Sequence, residues 1–180
     1  VAWTATSAER TITYTVDRGR RHKFVHLAIA GNRYFSRETI RERLFMEPAT
    51  LPRFPYGRFN DAYLQQDLQA IRNLYSSNGF RDVKVTSRIQ DDYAGAEGHL
   101  AVFLQIEEGP QWFVSDLAIE GVEASDRPAL EGMLASSKNQ PFSEASVADD
   151  RDNFLNYYYS RGYLNATFDY DATPADLPAH

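Results

Sequence analysis

Apolar residues recur with two different periods along this chain, and the switches between them outline a folding unit. Over residues 24–30, Val25, Leu27 and Ile29 alternate with Phe24, His26, Ala28 and Ala30, the period of a strand with one buried face. Gly31 and Asn32 supply turn chemistry at its end. Ser36 then stands where a helix N-cap is expected, ahead of Ile40 and Leu44 at i, i+4. A second helix is predicted after Asn60 or Asp61, because Leu64, Leu68, Ile71 and Tyr75 follow at spacings of 4, 3 and 4. Gly79 is placed to end that helix in left-handed backbone. Strand period returns with Val83, Val85, Ser87 and Ile89 against Lys84, Thr86 and Arg88, and residues 91–98 turn the chain into a last strand over 100–106. The predicted order is β-α-α-β-β, an α+β fold in which a three-stranded sheet carries two helices on one face.

The unit occurs twice. VDRGRRHKFVHLAIAG (16–31) aligns without gaps on IEEGPQWFVSDLAIEG (106–121) at an offset of 90. FNDAYLQQDLQAIRNLYSSNGF (59–80) aligns on FSEASVADDRDNFLNYYYSRGY (142–163) at an offset of 83, pairing Asp67 with Asp150, Tyr75 with Tyr158 and Gly79 with Gly162. The offsets differ by seven, so the first copy carries seven extra residues, assigned to the proline-rich stretch 45–58. The second copy is expected to open with a strand bearing Leu117 and Ile119 on one face and Asp116 and Glu120 on the other. Helices follow from Ser125 or Asp126, with Leu130, Met133 and Leu134 inward, and from a Ser143 cap, with Val147, Phe154 and Tyr158 inward. A strand over 164–170 closes it. TITYTV (11–16) before Asp17-Arg18-Gly19 matches the final strand before Glu107-Glu108-Gly109. Residues 1–20 therefore read as the last strand of a preceding unit, 22–109 as a first domain, and 112–180 as a second domain lacking its final strand.

Composition narrows the chemistry. With no cysteine among 180 residues, disulfides, thiolate metal sites and cysteine nucleophiles are excluded. A formal charge of −6 weighs against general nucleic-acid binding, and no apolar run approaches the roughly 20 residues that span a bilayer. No Gly-x-Ser-x-Gly, phosphate loop or HExxH is present, and the acidic pairs Asp91-Asp92, Glu107-Glu108 and Asp149-Asp150 fall at turns, strand ends and a helix start. No enzyme activity, cofactor or metal site is expected. His22 and His26 have i, i+4 spacing, but on a linker and a strand that spacing does not converge. The basic run RGRRHK (18–23) reads as a solvated linker, since its counterpart in the second copy carries no such charge.

With LAIAGN on the first strand, LYSSNGF at the end of the second helix, the Y-x-x-x-G-[FY] step at Tyr75–Phe80 and Tyr158–Tyr163, and IEEGP at the junction, the chain resembles the POTRA domains of BamA-like outer-membrane β-barrel assembly proteins. It departs from them in Asp17-Arg18-Gly19-Arg20 at the first junction and in the long loop of the first copy. The resemblance implies a periplasmic scaffold, part of an outer-membrane protein, that receives unfolded outer-membrane proteins or accessory envelope proteins. Contact with the membrane is expected only through a C-terminal barrel that this chain lacks. Within the superfamily the rival is a two-partner secretion transporter; from outside it, an envelope or cell-division interaction module.

An exposed strand edge offers unpaired N–H and C=O groups to any extended peptide. The expected peptide-binding edges are Arg81, Val83, Lys84, Val85, Thr86, Ser87, Arg88 and Ile89 in the first unit, and Leu164, Asn165, Ala166, Thr167, Phe168 and Asp169 in the second. Glu107, Glu108, Gly109, Pro110 and Trp112 are expected to form the inter-domain junction, with Trp112 as a wedge. The unmatched strand at 11–16 and the incomplete second unit are expected to allow strand exchange between molecules.

Overall fold

A computed structural model describes residues 12–173. In chain order these form β1 (Lys23–Ala30), α1 (Arg37–Arg41), α2 (Asp61–Ser76), β2 (Lys84–Asp91), a 3-10 turn at Tyr93–Gly95, β3 (His99–Glu107), α3 (Arg127–Glu131) and α4 (Glu144–Tyr159). The sheet order is β1-β3-β2. β3, last in sequence, lies in the centre, parallel to β1 and antiparallel to β2.

Local signals act as their chemistry dictates. The hydroxyl of Ser36 accepts from Thr39 N, the side-chain oxygen of Asn60 from Tyr63 N, and the Ser143 hydroxyl from Ser146 N, each tying down an N–H that the first helical turn leaves unpaired. α3 differs, because Asp126 makes no capping bond; its carboxylate instead accepts from the Tyr157 hydroxyl at 2.9 Å.

The main core lies between the sheet and α1 and α2. It gathers Phe24, Leu27 and Ile29 of β1, Val102, Leu104 and Ile106 of β3, Val85, Ile40, and the α2 stripe Leu64, Leu68, Ile71 and Tyr75. The strict alternation read from the sequence fails at one point. Phe24, not Val25, enters the core, because the register of β1 on β3 slips between Phe24 and His26. That bulge puts one extra residue into β1 and resets which face follows.

A second, smaller core joins Leu130, Phe154 and Tyr157, with Ile119, Tyr158 and Phe168 packed against it. Tyr157 is more deeply buried there than Tyr158, the residue expected inward. The strands expected at Leu117–Ile119 and over 164–170 do not form, and neither does the strand at 11–16 over its described residues. The reason lies in the topology of the first unit. β1 and β2 never touch each other and pair only with β3, and the second unit has no counterpart of β3 among the described residues. An extended segment without a ladder partner gains no strand hydrogen bonds.

Candidate functional site

A three-stranded sheet has two edges, and in this chain they differ. On β1, Phe24 N donates to Tyr56 O at 2.9 Å and Phe24 O accepts from Ala49 N at 2.6 Å. Further along, the Arg41 guanidinium donates to Leu27 O at 3.1 Å. The residues that do this belong to α1 and to the proline-rich stretch carrying the first copy's extra length. That stretch is itself braced: Glu47 and Arg58 exchange backbone hydrogen bonds of 3.1 and 2.7 Å, and Arg58 Nε donates to Phe45 O. Between strap and strand lies a groove of about 480 Å³ lined by Leu27, Leu44 and Met46. The edge of β1 is guarded at Phe24 and Leu27.

The edge of β2 is not strapped. From Lys84↔Glu107 to Asp91↔Leu100 it is laddered to β3 alone. Among the described residues, the one group from elsewhere that reaches its backbone is the Arg72 guanidinium, which donates to Val85 O at 3.1 Å from α2. Orientation repeats every second residue along a strand, so Ser87, Ile89 and Asp91 present their backbone groups to the same outer side as Val85. Lys84, Thr86, Ser87 and Arg88 are exposed, and Ile89 is 41% exposed although it shares the core-facing parity of Val85. On the face away from the helices, the Arg88 guanidinium sits 4.2 Å from the centre of the Phe103 ring. His26 and Tyr93 stack beside that ring at 5.0 Å from each other.

The expected edge residues are thus sorted. Lys84 to Ile89 lie on β2, with Val85 buried in the core. Arg81 and Val83 do not belong to the strand: both lie in the turn after α2, and Arg81 pairs with Glu144 at 3.4 Å. Leu164, Asn165, Ala166, Thr167, Phe168 and Asp169 form no strand, and no strand lies beside them among the described residues. Phe168 instead packs edge-on against Phe154, with ring centres 5.7 Å apart.

At the junction, Glu108 is a hub. One of its oxygens accepts from Arg33 N at 2.6 Å, Tyr34 N at 2.8 Å and the Tyr75 hydroxyl at 2.8 Å. Partial burial works to raise its carboxyl, but those three donors outweigh it and hold the group below the usual carboxylate range. Burial and the Glu108 charge together push the Tyr75 hydroxyl well above its ordinary value. Trp112 joins the two units through its backbone, its N donating to Gly79 O at 2.8 Å and its O accepting from Phe142 N at 2.9 Å. Its indole N–H reaches Asp82 at 3.4 Å, and Gln111 Nε2 donates to Asn78 O at 2.9 Å. The basic run ahead of β1 is tied to the β2–β3 turn: Arg20 pairs with Glu97 at 2.8 Å and Asp92 at 3.5 Å, and Arg21 lies 4.1 Å over the Tyr56 ring.

Among the described residues, no three His, Asp or Glu side chains converge as a metal site, and no helix is long and apolar enough to cross a membrane. Two groups escaped the sequence reading. Asp67 is fully buried, and its two oxygens accept from Phe45 N and Met46 N at 2.7 and 2.8 Å. Asp150 does the same for Ala135 N and Ser136 N. The signal was available, since the two aspartates align and each lies on the inner stripe of its helix. Arg72 left no such trace, because its reach to β2 depends on tertiary packing.

A family model described as "POTRA: Surface antigen variable number repeat" matches residues 23–109 and 113–179. The outer membrane protein assembly factor BamA of Nitratidesulfovibrio vulgaris is 33% identical over 84 residues, which cover 47% of this chain and 10% of that protein. A putative outer membrane protein assembly factor of Treponema pallidum is 25% identical over 113 residues, 60% of this chain and 13% of the relative. The chain therefore spans a small part of those curated relatives. Among solved structures, the crystal structure of Haemophilus influenzae BamA POTRA3-5 superposes with a TM-score of 0.58 at 26% identity, covering 82% of this chain and 59% of that one.

Proposed function

We propose, from the premise that this chain belongs to the POTRA family, that it acts as a non-enzymatic scaffold in the periplasm, as part of an outer-membrane protein. Its clients are unfolded outer-membrane proteins or accessory envelope proteins, and it takes their extended segments as an added strand along β2. In this reading residues 22–109 and 112–180 are successive domains, residues 1–20 belong to a preceding one, and the Glu108–Trp112 junction sets their relative orientation. The observation that carries the reading is the difference between the edges: Ala49, Tyr56 and Arg41 engage β1 at Phe24 and Leu27, while on β2 Arg72 alone reaches the outer backbone, at Val85. Backbone pairing is indifferent to side-chain sequence, which suits clients that share strands rather than motifs.

The test is a proline on the open side of β2. Val85 is unsuitable, being buried in the core. Ser87 is exposed and its N–H points away from β3 by the parity set at Val85, so Ser87→Pro removes a donor to an incoming strand without breaking the β2–β3 ladder. Photocrosslinking of an extended outer-membrane-protein peptide to β2 should be lost in Ser87→Pro while the far-ultraviolet circular dichroism is kept. Undiminished crosslinking to β2 in that variant rules out strand addition there.

A further inference from the structure

The edge of β2 is lined by cations that close no ion pair among the described residues. Arg72 reaches it from the helix side, and Lys84 and Arg88 stand on the opposite face of β2. Among the described residues none of the three lies within ion-pair distance of a carboxylate. Of the nearby acidic groups, Glu144 pairs with Arg81 at 3.4 Å, while Asp82 accepts from the Trp112 indole and Asp91 lies at the far end of β2. Glu107 faces Lys84 across the ladder without closing a pair. Arg88 is held over Phe103 and donates to Gln90 at 3.2 Å, and Arg72 donates to Gln69 at 3.4 Å. Both guanidiniums are thus positioned by neutral groups and keep their full charge. In a chain of formal charge −6, three cations with no ion-pair partner among the described residues stand around the β2 edge, two of them on one face four residues apart.

We infer that the strand added at β2 is acidic, an extended peptide carrying carboxylates at two positions four residues apart on the face beside Lys84 and Arg88. This deepens the strand-addition reading and rests on it. The spacing follows from geometry: Lys84 and Arg88 are separated by four strand residues, roughly 13 Å, and side chains of an adjacent strand stand at the same repeat. The Arg72 charge adds to the attraction from the other face. Opposite charges placed across neighbouring strands contribute about 0.2–1 kcal/mol each, so the two pairs at Lys84 and Arg88 give about a fivefold preference over a neutral peptide.

The experiment uses fluorescently labelled peptides of alternating Thr and Val in which two Thr positions, four apart, are Glu, Gln or Lys. Binding to the full chain is read by anisotropy at low and high salt, for wild type, Ser87→Pro and the double variant Lys84→Gln/Arg88→Gln. The expected result is a preference for the Glu peptide over Gln of about fivefold, and a larger one over Lys. Both should collapse at high salt and in the double variant, and all binding should be lost in Ser87→Pro. Equal affinity of the three peptides, all lost in Ser87→Pro, overturns the acidic preference and leaves strand addition standing. Glu-peptide binding that survives Ser87→Pro also overturns the proposal, since charge would then act away from the strand edge. Failure of all three peptides to bind overturns both readings.

Discussion

Asp67→Asn is the most incisive single change to the first unit. Asp67 has no solvent exposure, and its two oxygens each accept one backbone N–H, from Phe45 at 2.7 Å and Met46 at 2.8 Å. This carboxylate holds the loop after α1, which continues into the strap over β1. Asparagine matches the shape but has one acceptor oxygen, so one of the two N–H groups would face an NH2 group. An unpaired buried donor costs about 1–3 kcal/mol, and exchanging an ionised acceptor for a neutral one at the other N–H costs about 1 kcal/mol more. Against this, burial pushes the Asp67 carboxyl upward, an outlay the neutral amide avoids. The net expectation is a loss of about 2 kcal/mol, which for a unit of this size lowers Tm by about 10 °C. Urea titration followed by circular dichroism gives the stability, and hydrogen exchange at the Phe45 and Met46 amides locates the loss. Asp150→Asn serves as the internal comparison, since it breaks the matching bonds to Ala135 and Ser136 and should leave exchange at Phe45 and Met46 unchanged. An Asp67→Asn protein within about 0.5 kcal/mol of wild type, with both amides still protected, would refute the idea that this carboxylate holds the loop.

Two further outcomes are expected. Glu108 is held below its ordinary value of 4.5 when folded, so its contribution is present above that pH and is lost as pH falls through the lowered value. Wild type should therefore lose stability more steeply than Glu108→Gln on acid titration, and parallel curves would show that the hub adds nothing. Ile12, Tyr14 and Val16 are 70%, 85% and 79% exposed and align with the core residues Val102, Leu104 and Ile106 of β3. Light scattering should show concentration-dependent association through this segment that Tyr14→Asp removes; a mass independent of concentration would dispose of strand exchange.

What was legible in the sequence divides along the range of the interaction that decides it. Ser36, Asn60 and Ser143 act on N–H groups three residues away, and their caps were readable and formed. Gly79 and Gly162 take positive φ of 88° and 89° at the ends of their helices, as their matched positions imply. The bulge at Val25 was not readable, because it is set by the register of β1 on a strand far along the chain. Neither was the closure of the β1 edge: the extra seven residues were visible as an insertion, but only the fold brings Ala49 and Tyr56 against Phe24. For the site this distinction mattered most. The sequence offered equivalent edge strands in both units, and among the described residues a laddered strand forms in the first alone.

The second unit separates local from non-local causes within a single chain. Gly31 and Gly121 both have positive φ, 82° and 70°, yet only Gly31 has a reason in packing, since a side chain there would meet the carbonyl of Ile106 at the end of β3. Around Gly121 nothing lies within 4 Å. Gly79 and Gly162 differ in the same way, the first pressed against Trp112 O and the second with no neighbour inside that distance. Helices, caps and glycine turns thus form in both units, and the sheet forms only where β3 is present. β3 is also where the site is anchored: Val102, Leu104 and Ile106 are almost wholly buried, its ladder holds β2 in place, and directly after it Glu108 grips the loop after β1 and Tyr75. A strand added at β2, as proposed, would load the most deeply packed element of the unit. That element leads directly into the Trp112 link to the next unit, giving the edge and the junction one shared mechanical support.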